Sequence, residues 1–185
     1  MEIKLDGQAA IVTGAGRGIG REIALMTAAA GARVALVART ADQLEAVAAE
    51  IRDAGGEAVA LPTDKTDTVA VKAMVKQVVA QFGQIDILVN NAATNYVANL
   101  VMAKEADIRR VYDVNVFSVF TLTQAVVRTM IRRKSGRIIN VSSVSAKVGA
   151  AYNSAYASSK AALIGFTKSI ARETAKIGIT CNAIC

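Results

Sequence analysis

The chain contains no histidine and no tryptophan, one proline and two cysteines in 185 residues. Without histidine it lacks the side chain whose ordinary pKa lies nearest neutrality, so acid–base chemistry must fall to carboxylates, lysines or tyrosines. The cysteines, Cys181 and Cys185, stand four apart at the C-terminal end with no histidine to complete a zinc set. They are expected to be buried thiols, and no metal site is expected. Aromatic residues make up 4% of the chain and there is no basic tail. The excess of Lys+Arg 22 over Asp+Glu 15, a net charge of +7, therefore attracts anions without the stacking side chains that nucleic-acid binding uses. A phosphorylated cofactor or an acidic carrier protein fits that charge better. Long apolar runs are also missing. Charges interrupt each of them, so no membrane span is expected, and Glu2, Lys4 and Asp6 stand where a signal sequence would have an apolar core. The expected location is cytoplasmic.

Hydrophobic residues nevertheless make up 53% of the chain, enough for one packed domain over residues 1–185. Short apolar runs at 8–12, 33–38, 58–61, 86–89, 136–141 and 179–185 alternate with stretches of helical periodicity. The helical patterns follow at 23–30, 44–51, 66–82, 111–133 and 153–175. Strands buried on both faces read as continuous apolar runs, so the alternation predicts a parallel α/β sheet covered on both sides. No internal repeat or interdomain linker interrupts it.

The first strand runs into Thr13-Gly14-Ala15-Gly16-Arg17-Gly18-Ile19-Gly20 and then into a helix. Glycines allow the tight turn and the close approach of a pyrophosphate, and the helix N-terminus offers unpaired N–H groups and a positive dipole end. This stretch predicts a dinucleotide site. At the end of the second strand, where an acidic residue would hold a ribose 2'-hydroxyl, the chain has Ala38-Arg39. Arg39, with Arg17 as a second cation, favours a 2'-phosphate and hence NADP(H), although a solvated arginine at a strand end is the plainer alternative. Asp64 lies just past the third strand, placed either to accept from an adenine amino group or to stabilise a turn. Asn90-Asn91-Ala92-Ala93 ends the fourth strand; its amides can pin neighbouring loops and its small residues leave room for a ligand.

The chemistry is expected between Ser143 and Lys160. Tyr156 and Lys160 are four apart, on one helical face, and an ammonium beside a phenol favours phenolate, so the pair can pass a proton in a chain without histidine. Asn115 interrupts the apolar face of the helix at 111–133; its amide would meet a backbone carbonyl or hold a water near Lys160. Arg128, Arg132, Arg133 and Lys134 gather at that helix's C-terminal end, where the dipole favours them and where an acidic partner would also dock.

With these motifs in this order, the chain resembles the short-chain dehydrogenase/reductase family over essentially its whole length, and among its members the 3-oxoacyl reductases. The resemblance implies a Rossmann-type doubly wound sheet and the interconversion of a carbonyl and a secondary alcohol. It implies Tyr156 as proton donor, Lys160 as its activator and ribose ligand, Ser143 as hydrogen-bond donor to the substrate oxygen, and Asn115 as anchor of a water. It assigns Gly14, Gly16, Arg17, Gly18, Ile19 and Gly20 to the phosphate turn, Arg39 and Asp64 to the adenosine end, and Asn90 and Ala92 to the cofactor pocket. It further implies a small-molecule or acyl-thioester substrate, acyl carrier protein being one candidate bearer, and a homodimer or homotetramer. Helices at 111–133 and 153–175, apolar on more faces than one sheet covers, agree with the last point. An NAD-dependent hydroxy-compound dehydrogenase and a non-catalytic dinucleotide-binding protein are the alternatives.

Three departures from the family pattern stand out. Ala93 replaces the usual glycine after Asn-Asn-Ala, and Lys65 adds a charge after Asp64. The third is that the family continues past residue 185 with a substrate-covering loop and a seventh strand. The expectation is a C-terminally incomplete sheet, a fragment of a longer protein with weak or no turnover.

Overall fold

The computed structural model describes residues 4–185. Six strands form one parallel sheet in the order β3-β2-β1-β4-β5-β6. They are β1 (Ala9–Thr13), β2 (Arg33–Ala38), β3 (Glu57–Pro62), β4 (Ile87–Asn90), β5 (Gly136–Val141) and β6 (Ile179–Ile184). Strands β1 to β5 alternate their side chains between two cores, and β6 adds Ile179 and Cys181 to one of them. Ile11, Val37, Leu61, Leu88, Ile138 and Ile179 point to one face, and Val12, Val34, Leu36, Ala58, Ile87 and Val89 to the other. Because both faces are covered, β1 is buried at every position, and the continuous apolar run in the sequence follows.

Helices α1 (Gly18–Ala29) and α2 (Ala41–Asp53) cover the second face through Ala24, Ala28, Leu44, Val47 and Ile51. Helices α3 (Thr68–Phe82), α5 (Ser118–Arg133) and α7 (Ser154–Thr174) lie on the first. Asp67 caps α3, its carboxylate accepting from Val69 N at 2.8 Å and Ala70 N at 3.1 Å. Such a cap satisfies two of the orphan N–H groups of the first turn, and Gly83 in the left-handed region closes the other end.

Four sequence expectations change in detail. The helix expected from Val111 begins earlier, as α4 (Glu105–Tyr112), and passes through a π turn (Asp113–Phe117) before α5. The 105–133 stretch is long and apolar enough to cross a membrane by length and composition. Here Val111, Val116, Val119, Leu122, Val126 and Met130 are buried inside the protein, so those same apolar residues serve a core. Of the basic cluster closing α5, Arg133 is paired with Asp86 at 2.6 Å. Asp86 in turn accepts from Ala9 N at 2.8 Å and Gln84 Nε2 at 2.7 Å, locking the start of β1 to the start of β4. The cysteines also divide. Cys181 is buried and its thiol is pushed up to about 11 by that burial, whereas Cys185 lies beyond β6 and is exposed.

Candidate active site

The strand order reverses between β1 and β4, since β1 is followed by β2 on one side and β4 lies on the other. Ligands of open parallel sheets sit at such a switch point, beyond the carboxyl ends of the strands. A cleft of about 1040 Å³ opens there, lined by Gly14, Gly16, Arg17, Ile19 and Gly20 after β1, Arg39 after β2, Asp64 and Lys65 after β3, and Asn91 to Thr94 after β4. Its size suits a dinucleotide.

The glycine turn has a structural reason at two positions. Gly14 has φ +69, and a side chain there would press on Asn91 Nδ2 and on the backbone of Ala92. At Gly20, an added methyl group would lie inside the van der Waals shell of the Gly14 carbonyl, so the start of α1 packs directly on the turn. Arg17 precedes α1 in extended conformation and is exposed, as are Ile19 and Arg39. The residues present therefore fit a nicotinamide dinucleotide: a backbone cradle that a side chain would fill, at a helix N-terminus, with two cations at its rim.

Asp64 adopts the turn geometry. Its Oδ1 accepts from Thr66 N at 2.9 Å and Thr66 Oγ1 at 2.7 Å, and these bonds hold its carboxyl below the ordinary range. Its other oxygen is engaged by no hydrogen bond among the described residues, so the turn and an adenine contact are compatible. Asn90 does not line the cleft; it is buried, donating to Thr123 Oγ1 at 3.1 Å and Asn140 Oδ1 at 2.8 Å. The neighbouring Asn91 reaches back to Thr13 O at 2.9 Å, while Thr13 Oγ1 accepts from Asn91 N at 3.0 Å and Ala92 N at 3.1 Å. Thr13, not singled out from the sequence, is thus the clasp joining the two walls of the cleft.

The residues expected to transfer the proton are held between β5 and α7. Lys160 is buried, and its Nζ donates to Val141 O at 2.6 Å. Ser142 Oγ donates to Lys160 O at 2.8 Å, so the end of β5 and the second turn of α7 hold each other. Lys160 Nζ stands 5.8 Å from the centre of the Tyr156 ring, as the four-residue spacing predicts. Burial lowers the Lys160 ammonium to about 8. Ser143 follows directly and opens α6 (Ser145–Val148), its hydroxyl pairing with Ser145 Oγ at 2.7 Å. The small residues of the first turns of α7 divide between its faces, Ala155, Ala157 and Ser159 being buried and Ser158 exposed.

Asn115 sits in the π turn and is buried. Its Nδ2 donates to Thr94 O at 2.9 Å and Ser159 Oγ at 3.0 Å, and its Oδ1 accepts from Thr94 N at 2.8 Å. Both amide hydrogens are committed, so this side chain ties the loop after β4 to the helix carrying Tyr156 and Lys160. The π turn carries no compositional signature in the sequence, but such turns recur at functional sites.

Lys65 departs most from expectation. Instead of lying at the adenosine rim, its side chain folds inward and its Nζ donates to Ala92 O. Desolvation first, then the nearby charge of Lys160, lower it to about 7, with Asp64 opposing. A lysine depressed in the folded state binds fewer protons there than when unfolded, so its contribution is present above the unfolded pKa and is lost as pH falls through the folded one. Between about pH 7 and 9, stability of the wild type relative to Lys65→Met is therefore expected to rise by on the order of 1–2 kcal/mol. Urea denaturation of both proteins at the two pH values measures this; a gap independent of pH would contradict it.

Comparison with known proteins agrees with this geometry. The sequence model of the short chain dehydrogenase family matches residues 8–185. The chain is 45% identical over 178 residues to the 3-oxoacyl-[acyl-carrier-protein] reductase FabG of Staphylococcus aureus, covering 96% of this chain and 72% of that one. Among solved structures, a putative short-chain alcohol dehydrogenase from Sinorhizobium meliloti superposes with a TM-score of 0.96 at 37% identity, over 100% of this chain and 73% of that one. A metagenomic short-chain oxidoreductase in complex with NADP gives 0.93 at 39% identity, over 97% and 81%. An NAD+-bound xylitol dehydrogenase gives 0.95 at 37% identity, over 97% and 70%. With a nucleotide cleft at the switch point, a buried lysine beside a tyrosine, and a family match over residues 8–185, the chain belongs to the short-chain dehydrogenase/reductase family of oxidoreductases.

Proposed function

We propose that the protein is an NADP(H)-dependent reductase that converts a 3-oxoacyl thioester to the 3-hydroxyacyl product. The observation that carries the cofactor choice is the pair Arg17 and Arg39, which both line the cleft, with no carboxylate at the end of β2. Two guanidinium groups there favour a 2'-phosphate, whereas a 2'-hydroxyl needs an acceptor. The substrate class rests on the likeness to the 3-oxoacyl reductase of S. aureus. The net charge of +7 suits an acidic carrier as the bearer of the acyl group.

A bound nicotinamide supplies or accepts the hydride. In reduction, Tyr156 gives its hydroxyl proton to the carbonyl oxygen, and Ser143 turns its hydroxyl from Ser145 to the same oxygen as negative charge develops. Lys160 favours the phenolate left on Tyr156 and holds the nicotinamide ribose. Asn115 keeps the loop after β4 and α7 in register, and a water donating to one of its carbonyl oxygens would return the proton to Lys160. In oxidation the same groups run in reverse.

Association of subunits is part of this reading. Phe117 and Phe120 on the π turn and α5 are 60% and 50% exposed, and Phe120 packs on Phe166 of α7 with ring centres 4.3 Å apart. An aromatic face of this kind suits a symmetric helix-on-helix contact.

Turnover of acetoacetyl-coenzyme A with NADPH and with NADH tests the proposal. NADPH is expected to be preferred at least about tenfold in kcat/KM, a loss of roughly 1.4 kcal/mol of discrimination when the phosphate is absent. Preference for NADH would sink the cofactor choice, and would bring the protein closer to the NAD+-bound xylitol dehydrogenase.

A further inference from the structure

We propose that Lys65 is a pyrophosphate-binding residue of the dinucleotide cleft, its ammonium moving from the Ala92 carbonyl to a bridging-region phosphate oxygen of the ligand. The inference rests on the dinucleotide reading of the cleft and names a contact within it.

Four observations carry it. Lys65 lines the cleft together with Gly14, Gly16 and Arg17. Its ammonium is bonded to Ala92 O, and Ala92 packs against Gly14, whose added side chain would meet the Ala92 Cα at 3.0 Å. The charge therefore rests beside the first residue of the phosphate turn, not out at the adenosine rim. Next, among the described residues no carboxylate pairs with it: its bond is to a neutral carbonyl, and Asp64, on the same loop, spends an oxygen on Thr66. Finally, the cation that acts on it most is Lys160, which is unfavourable. A buried ammonium held by one carbonyl and repelled by a second ammonium is a costly arrangement, because a desolvated charge needs an opposite charge to compensate it. A pyrophosphate in the glycine turn supplies that charge at the place where Lys65 already points.

Two other roles for this side chain give different results. A lysine that merely fills the groove would obstruct the ligand, and a lysine selecting the 2'-phosphate would act only on NADP(H). Isothermal titration of the full chain with ADP, NADH and NADPH separates them, using wild type, Lys65→Met and Lys65→Arg. Lys65→Met is expected to weaken all three ligands by a similar factor of about 10 or more, since loss of a charged hydrogen bond to phosphate costs about that much. Lys65→Arg keeps the charge and is expected to stay within about threefold of wild type. Equal or tighter binding by Lys65→Met would overturn the proposal in favour of obstruction, and a loss confined to NADPH would overturn it in favour of the 2'-phosphate. Retention of affinity by Lys65→Met also leaves the dinucleotide reading intact. Failure of the wild type to bind any of the three ligands would refute both together. Should Lys65→Met fail to fold, Lys65→Gln carries the neutral arm, judged by the same comparison with Lys65→Arg.

Discussion

Tyr156→Phe is expected to lower kcat about 10²–10⁴-fold, the usual contribution of a positioned proton donor, while dinucleotide affinity stays within about twofold. The substitution removes one oxygen and leaves the ring that Lys160 faces at 5.8 Å. It also leaves the bonds that fix the lysine, from its Nζ to Val141 O and from Ser142 Oγ to its carbonyl. No histidine exists anywhere in the chain to take over the proton. Rate measurement under saturating NADPH, with fluorescence titration of the cofactor, checks both halves of the expectation. A variant that kept more than a tenth of its turnover would assign the proton to another group, and parallel loss of affinity would point to a collapsed site instead.

The second large effect is on stability. Asn140→Leu is expected to lower the unfolding free energy by about 2–5 kcal/mol, because one amide hydrogen of Asn90 and the acceptor side of the Thr167 hydroxyl each lose a buried partner, at about 1–3 kcal/mol each. For a chain of this size that is a fall in Tm of roughly 5–15 °C. Asn140 is fully buried on β5 and joins three elements. It accepts from Asn90 Nδ2 on β4 at 2.8 Å, and it donates to Thr167 Oγ1 on α7 at 2.8 Å and to Cys181 Sγ on β6 at 3.5 Å. Leucine matches the volume but answers neither Asn90 nor Thr167. Adding Asn90→Leu should cost less than the sum of the two single changes, because partners within one network couple. Denaturation of the four proteins in the cycle measures this; full additivity would show that the bonds act independently.

The sequence makes strands legible where burial on both faces leaves no ambiguity. The run at 33–38 coincides with β2 and that at 136–141 with β5, since Arg33 and Gly136 end each run sharply. Asp67 was readable as the start of α3 because a carboxylate before an apolar periodic stretch has one favoured use. The four-residue spacing of Tyr156 and Lys160 translated directly, because one helix carries both. What the sequence hid depends on distant partners or on a local change of helical pitch. Charged residues Glu105, Asp107, Arg109 and Arg110 masked α4, and nothing in Asp113–Phe117 announces a π turn. Lys65 has a long side chain whose destination is set by Ala92, 27 positions away. The uses of Asn90 and Asn115 were open between ligand and scaffold, because the partners of both amides, Asn140 and Ser159, lie 50 and 44 positions further along the chain.

The switch point also divides the molecule mechanically. Strands β1 to β3 come from residues before 63 and β4 to β6 from residues after 86, and among the described residues the only strand ladder between the two groups is the pairing of Ala10 with Ile87, Ile11 with Leu88 and Val12 with Val89. That ladder is the shortest in the sheet; each of the others has more pairs. The cleft lies directly over it, with Gly14 to Gly20 and Arg39 belonging to one half and Asn91 to Thr94 to the other. A ligand seated there acts as a brace across the weakest seam of the sheet. At a hundredfold excess over its Kd it adds about 2.7 kcal/mol to the work of unfolding the protein, so the same contacts that orient the cofactor also hold the two halves of the chain together.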